Sequence, residues 1–251
     1  CWTTSSTGPE MTGDARATSF GADVAAYEQG RPEYVDEHVS WLLEGVTGRV
    51  LDLAAGSGKL TRAVRRLGFD VVAVDPDAQM LARNTGVETH LGSAEAIPLP
   101  AASVTAVTVG QAWHWFDPAH AGPEIARVLV PGGRLGLVWN TRDDQHPFVA
   151  ELAAVMGPSP AELMVDAEAV AQVPGFGPFE RRRWDRIRLM SPGELISMVT
   201  SRSHYLLATP QTRTRIVAGV RALLAAHPHT AGRERFEYPL HSTCYRADAL
   251  A

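Results

Sequence analysis

The stretch RVLDLAAGSGKLTRAVRRLGFDVVAVD, residues 49–75, decides the fold. Residues 50–53 form a short aliphatic run that reads as a buried strand, and residues 59–66 carry a helical pattern. A second strand, 71–74, closes on Asp75. Between the first strand and the helix stand Ala54, Ala55, Gly56, Ser57 and Gly58. Small residues there let a ligand approach the backbone closely, and glycine permits positive φ. An acid at the end of the second strand, 17 residues after Gly58, can accept hydrogen bonds from both hydroxyls of a ribose. Strand, turn, helix, strand and acid together predict a nucleoside site.

The same alternation continues outward. On the N-terminal side, VDEHVSWLL (35–43) places Val35, Val39, Leu42 and Leu43 on one helical stripe. On the C-terminal side follow a helix over 78–84, an extended piece at 88–91, a strand over 104–109 and a helix over 118–130. Pro131-Gly132-Gly133 is read as a turn into a strand over 134–139. Apolar strands joined by helices predict a parallel sheet covered on both faces, with its ligand edge at the strand C-termini. The later stretches FERRRWDRIRL (179–189) and ERFEYPLHSTCYRA (234–247) read as strands, with helices near 192–207 and 212–227 between them. The expected organisation is a flexible tail (1–18) without the apolar core of a signal peptide, then one domain over 19–251. Its cofactor half spans about 20–142, and acceptor-side elements and late strands fill about 143–251.

Composition narrows the function. The chain of 251 residues carries 23 basic against 28 acidic side chains, a net charge of −5, which argues against a nucleic-acid partner. The cluster Arg181, Arg182, Arg183, Arg186 and Arg188 alternates with Trp184, Ile187 and Leu189 and is expected to be the solvated side of a strand. No apolar stretch approaches membrane-span length, so no membrane partner is expected. Two cysteines at opposite ends exclude a disulfide framework and fit a reducing cytoplasm. Carboxylates and histidines do not cluster at ligand spacing, so no metal is expected. The pattern specifies no oligomeric state.

Three ligands compete for the 49–75 unit. A phosphate-gripping P-loop needs a glycine at Leu53 and a hydroxyl residue at Leu60, and that reading fails. A dinucleotide fingerprint needs a third glycine where GSGKLT has Thr61, which weakens it. The third ligand is S-adenosylmethionine. LDLAAGSGKLT, VVAVDPDAQML, GSAEAIPLP and VLVPGGRLGLVW resemble, in order and spacing, the motifs of class I S-adenosylmethionine-dependent methyltransferases. The likeness covers residues 20–142, and VGQAWHWFD is similar to small-molecule members of the ubiquinone/menaquinone and trans-aconitate type.

The resemblance implies an α/β fold: a Rossmann-like, doubly wound, seven-stranded sheet, mostly parallel, with a C-terminal antiparallel hairpin. It also implies roles. Asp52, Ala54, Gly56, Ser57 and Gly58 shape the pocket for the methionyl part and ribose; Asp75, followed by Pro76, holds the ribose hydroxyls; Ser93, Ala94 and Glu95 frame the adenine. Gln111 approaches the amino-acid end or sulfonium, and Tyr27 and Arg31 help to close the site. Ala54 and Ser93 depart from the family's usual glycine and aspartate; alanine at 54 is expected to fit if its φ is negative. His114, on the ligand edge, is either a general base or a structural histidine. The implied reaction moves a methyl group from S-adenosylmethionine to a small organic acceptor, leaving S-adenosylhomocysteine. A non-catalytic S-adenosylmethionine-binding protein and a nicotinamide-dependent oxidoreductase stay open as alternatives.

Overall fold

The computed structural model describes residues 32–157 and 173–250. The expected tail, Tyr27 and Arg31 lie outside them. Seven strands form one sheet: β1 (Arg49–Leu53), β2 (Asp70–Asp75), β3 (Glu88–Leu91), β4 (Val104–Gly110), β5 (Leu129–Arg142), β6 (Glu180–Met190) and β7 (Phe236–Asp248). Their order is β3-β2-β1-β4-β5-β7-β6. Strands β1 to β5 pair in parallel, and β7 runs antiparallel to both β5 and β6. The late pair is therefore antiparallel, as expected. Helices rather than a tight turn join its two strands: α6 (Pro192–Thr200), α7 (Ser203–Leu206) and α8 (Pro210–Ala226).

The remaining helices cover the sheet: α1 (Asp36–Leu42), α2 (Lys59–Arg66), α3 (Ala78–Leu81), α4 (Pro118–Val128) and α5 (Pro147–Met156). Alternate residues of the central strands feed opposite cores, as the two-residue strand period requires. Leu51, Leu53, Val107, Val109, Leu137 and Trp139 pack with Ile125 of α4. Val50, Ala106 and Val138 pack with Leu42 of α1 and Leu60 and Val64 of α2 on the other face. Strand order reverses between β1 and β4: the chain leaves β1 toward β2 and returns on the far side. That switch leaves a crevice beyond the strand C-termini, the usual ligand position in such sheets.

Three expectations need correction. Pro131-Gly132-Gly133 does not separate helix from strand, because β5 runs through it from Leu129. The glycines absorb a bulge instead: Gly132 has φ +72°, and the register slips between the Val104 and Ala106 pairs. The helix expected over 78–84 ends at Leu81, so Asn84 falls in the following turn. The arginine cluster is not simply a solvated face. Arg181, Arg182 and Arg183 are exposed, but Arg186 and Arg188 are half-buried, while Ile187 and Leu189 are 64% and 54% exposed. Strand parity explains the reversal. Trp184 and the buried Met190 share even-numbered positions with Arg186 and Arg188, so burying the tryptophan turns both arginines inward.

Candidate functional site

The turn after β1 is held by acids and amides. Asp75, 6% exposed, ends β2 and accepts hydrogen bonds from Gly56 N (2.7 Å) and Asp77 N (2.8 Å), one on each oxygen. Burial raises its pKa, and those two amides oppose the rise. Asn84 donates to the Gly56 carbonyl (2.7 Å), so both peptides flanking that glycine are fixed. Asp52 on β1 lies beneath the turn. Its Oδ2 accepts from the Thr61 hydroxyl (2.6 Å), while its buried Oδ1 has no hydrogen-bond partner among the described residues. Burial pushes Asp52 up to about 7, and the Asp75 carboxylate adds to the rise against the Thr61 hydrogen bonds.

The backbone at this turn is left-handed in places that normally demand glycine. Gly56 and Gly58 have φ +55° and +85°, and a Cβ on Gly58 would lie 2.3 Å from Asn84 Oδ1. Alanine at 54 was expected to fit if its φ were negative; it takes +56°, a conformation that favours glycine. Its single methyl tolerates that geometry at a cost of about 1–2 kcal/mol. Gln111, just past β4, also has positive φ, +61°, and its side chain donates to the Asn140 carbonyl (2.9 Å). Ala54 and Gln111 line one cavity, and strained backbone gathers at functional sites.

That cavity, of about 440 Å³, lies at the β1/β4 switch point between Asp52, Ala54, Ser57 and Gln111. Four of the residues expected from sequence therefore meet in one place. Gly56 and Asp75 flank it through their mutual hydrogen bond, and Pro76 is half-buried beside Asp75. Ser93 and the buried Ala94 follow directly on β3, whose last residue, Leu91, is in register with Asp75. The exposed Glu95 accepts from Asp117 N (3.2 Å), at the start of α4. His114 sits in the 3-10 turn Trp113–Trp115, packs beside Trp115 and lines neither this cavity nor the neighbouring one.

Sequence reasoning missed Lys59 and Tyr34 as walls of the cavity, and Gly110 beside them. Lys59 is 6% exposed and pairs with Glu33; a Cβ on Gly110 would lie 2.4 Å from the Tyr34 hydroxyl. A glycine ending a strand rich in β-branched residues was the available signal for that close approach. A second cavity, of about 380 Å³, opens alongside and shares Pro32, Gln111 and Asn140. Among the described residues no group of three or more His, Cys, Asp or Glu side chains is placed to hold a metal ion, and no helix is long and apolar enough to cross a membrane.

Relatives decide the family. An uncharacterized methyltransferase of Mycobacterium tuberculosis is 46% identical over 233 residues, which cover 91% of this chain and 95% of the relative. The chain belongs to the class I methyltransferases. A family profile described as a methyltransferase domain matches residues 51–137, from β1 into β5, of the methyltransferase. Its fold is similar to that of a protein of Anaeromyxobacter dehalogenans described as a type II methyltransferase, with TM-score 0.65 and 22% identity over 88% of this chain and 97% of the other. It is also similar to a Haemonchus contortus N-methyltransferase in complex with S-adenosylhomocysteine, with TM-score 0.54 and 16% identity over 92% of this chain and 58% of the other.

Proposed function

We propose that the methyltransferase moves a methyl group from S-adenosylmethionine to an O, N or C nucleophile of a small organic acceptor, with the cofactor bound across the β1/β4 crevice. One observation carries the placement: Asp52 Oδ1, a buried carboxylate oxygen without a hydrogen-bond partner among the described residues, beside the crevice cavity. A buried acceptor of this kind requires a donor, and a charged one is best satisfied by a cation. The ammonium of the methionyl group meets that requirement. The ammonium of Lys59, held by Glu33 on another wall, provides the complementary charge for the methionyl carboxylate.

Asp75 fits the ribose. Each of its oxygens already accepts one amide and keeps a lone pair for a hydroxyl. The turn at 93–95 then frames the adenine. When bound, the cofactor supplies an electrophilic methyl on a sulfonium, whose C–S electron pair stays on sulfur as the acceptor's lone pair takes the methyl. The protein's contribution is alignment and exclusion of water. His114, expected as either a general base or a structural histidine, lines neither cavity, and the acceptor's proton is assigned to no residue of the crevice. Thr61 argues against a dinucleotide: it is buried and its hydroxyl is bound to Asp52 where close backbone packing would need glycine. The buried, unpaired thiol of Cys244 suits a reducing, cytoplasmic setting.

Calorimetric titration tests this reading. S-adenosylhomocysteine is expected to bind while NADH and ATP do not, and Asp75→Ala is expected to weaken it by roughly 10–100-fold through loss of charge-assisted hydrogen bonds. Unchanged affinity in that variant would remove the ribose from Asp75.

A further inference from the structure

We propose that Asn140 selects the acceptor. Its side-chain amide donates to an oxygen on or beside the atom that takes the methyl, which favours hydroxyl and carbonyl acceptors over amines. This rests on the cofactor placement above. The two cavities meet at Pro32, Gln111 and Asn140, which line both. A methyl leaving the cofactor cavity for the second one passes these three residues. Proline offers no donor, and the Gln111 amide is engaged with the Asn140 carbonyl.

Strand register brings Asn140 to the cofactor side. Asp52 pairs with Thr108 on β4, and Gly110, the next residue of that face, pairs with Val138 on β5. Asn140 follows Val138 at the strand period and so shares the face of Asp52. Its Oδ1 accepts from the Ser242 hydroxyl (2.6 Å) and from Arg186 (3.2 Å). Arg186 also donates to Ser242 (3.2 Å), which closes a triangle across β5, β6 and β7. A guanidinium has only donors, so the amide cannot turn its nitrogen toward Arg186. Nδ2 is thereby aimed the other way, where it is buried and has no hydrogen-bond partner among the described residues. Few buried N–H groups go unpaired in folded proteins, and one at the junction of two cavities marks the place of a ligand's acceptor atom.

Lone pairs decide the chemistry of that atom. An amine nitrogen has a single pair, and attack on the methyl consumes it. A hydroxyl or carbonyl oxygen keeps a pair for the amide while another pair, or a neighbouring carbon, attacks. Met198 and Leu240 give the second cavity an apolar side that accommodates a carbon skeleton behind the oxygen. A buried donor is left unpaired against an analogue that lacks the oxygen, and that penalty is what discriminates.

The test uses the full chain saturated with S-adenosylhomocysteine and isotopically labelled at the asparagine side-chain nitrogens. The chain has two asparagines, Asn84 and Asn140, so their amide signals are assigned by the one lost in Asn140→Asp. Should that variant not fold, the signal that shifts in Ser242→Ala is that of Asn140. Phenol and acetophenone are titrated beside aniline and toluene, their counterparts without the oxygen. At least one oxygen probe is expected to shift the Asn140 amide saturably and leave Asn84 in place. It is also expected to bind at least about tenfold more tightly than its counterpart, and to lose that preference in Asn140→Ala. A shift with phenol alone assigns the hydroxyl class, and with acetophenone alone the carbonyl class. An Asn140 amide that no probe moves, equal binding of the counterparts, or a preference kept in a folded Asn140→Ala would overturn the proposal. Failure of S-adenosylhomocysteine itself to bind would instead sink the cofactor placement beneath it.

Discussion

Replacing Asp52 by asparagine separates what the empty protein tolerates from what the cofactor requires. Its carboxyl, normally near 3.8, titrates at about 7 because burial penalises the charged form. The folded pKa thus exceeds the unfolded one, so the unfolded chain releases this proton first as pH rises. The group's contribution to stability is fully present below about pH 4, declines between about 4 and 7, and is flat above. About three pH units at 1.36 kcal/mol each give a loss of about 4 kcal/mol by pH 8. Asparagine retains an oxygen for the Thr61 hydroxyl and removes the charge, but points an amide donor where Oδ1 has no partner, at a cost of about 1–3 kcal/mol. The ligand-free variant is therefore expected to be about 1–3 kcal/mol more stable than wild type at pH 8. Cofactor binding moves in the opposite direction. Wild-type affinity for S-adenosylhomocysteine should rise with pH through about 7, as Asp52 ionises to meet the methionyl ammonium. The variant should be flat over that range and roughly 10–100-fold weaker at pH 8. Urea unfolding and calorimetry across pH 5–8.5 measure both arms. Carboxylates with lowered pKa, such as Glu194 and Glu124, lose their contributions at more acid pH, and His38, lowered to about 4 by burial, acts below about pH 6.5 in both proteins, so the difference between variant and wild type isolates Asp52. Parallel stability and affinity profiles for the two proteins would refute the assignment of Asp52.

Two further substitutions probe the backbone of the crevice. Ala54→Gly relieves a left-handed alanine and is expected to raise the unfolding free energy by about 0.5–1 kcal/mol after glycine's entropy is deducted, as read by urea midpoint; a loss would show that φ +56° carries no strain. Gly110→Ala drives a methyl against the Tyr34 hydroxyl and to 3.1 Å from Leu60. Overpacking there should cost about 1–3 kcal/mol in urea unfolding and, by pushing Tyr34 into the cavity, reduce S-adenosylhomocysteine affinity about tenfold in calorimetry.

The fold was legible because its signals are local. Lys59–Arg66 and Glu88–Leu91 have the bounds their pattern predicts, and β1, β2, β4, β6 and β7 lie within about two residues of the stretches that read as strands. Boundaries slipped where a glycine pair has two uses, as at Gly132 and Gly133, which bulge a strand rather than end one. The site divides in the same way. Asp52, Ala54 and Gln111 reach one cavity because each stands at or next to the C-terminal end of a central strand, and Ser57 joins them from the turn after β1. Lys59 carries no such signal, since spacing does not reveal that a lysine will be buried against Glu33.

By itself, then, the sequence determined the nucleoside unit: strand period, glycine turn and the acid of β2 are fixed within 27 residues of chain. Tertiary structure alone decided the rest. The sign of φ at Ala54 follows from how the turn is clamped by Asp75 and Asn84. The inward turn of Arg186 and Arg188 follows from which parity of β6 buries Trp184, and the lone donor of Asn140 from a contact with Ser242, 102 residues away. Local propensity carries the first kind of information. The second kind exists only once distant strands have paired, because pairing is what chooses a face, a neighbour and a dielectric for each side chain.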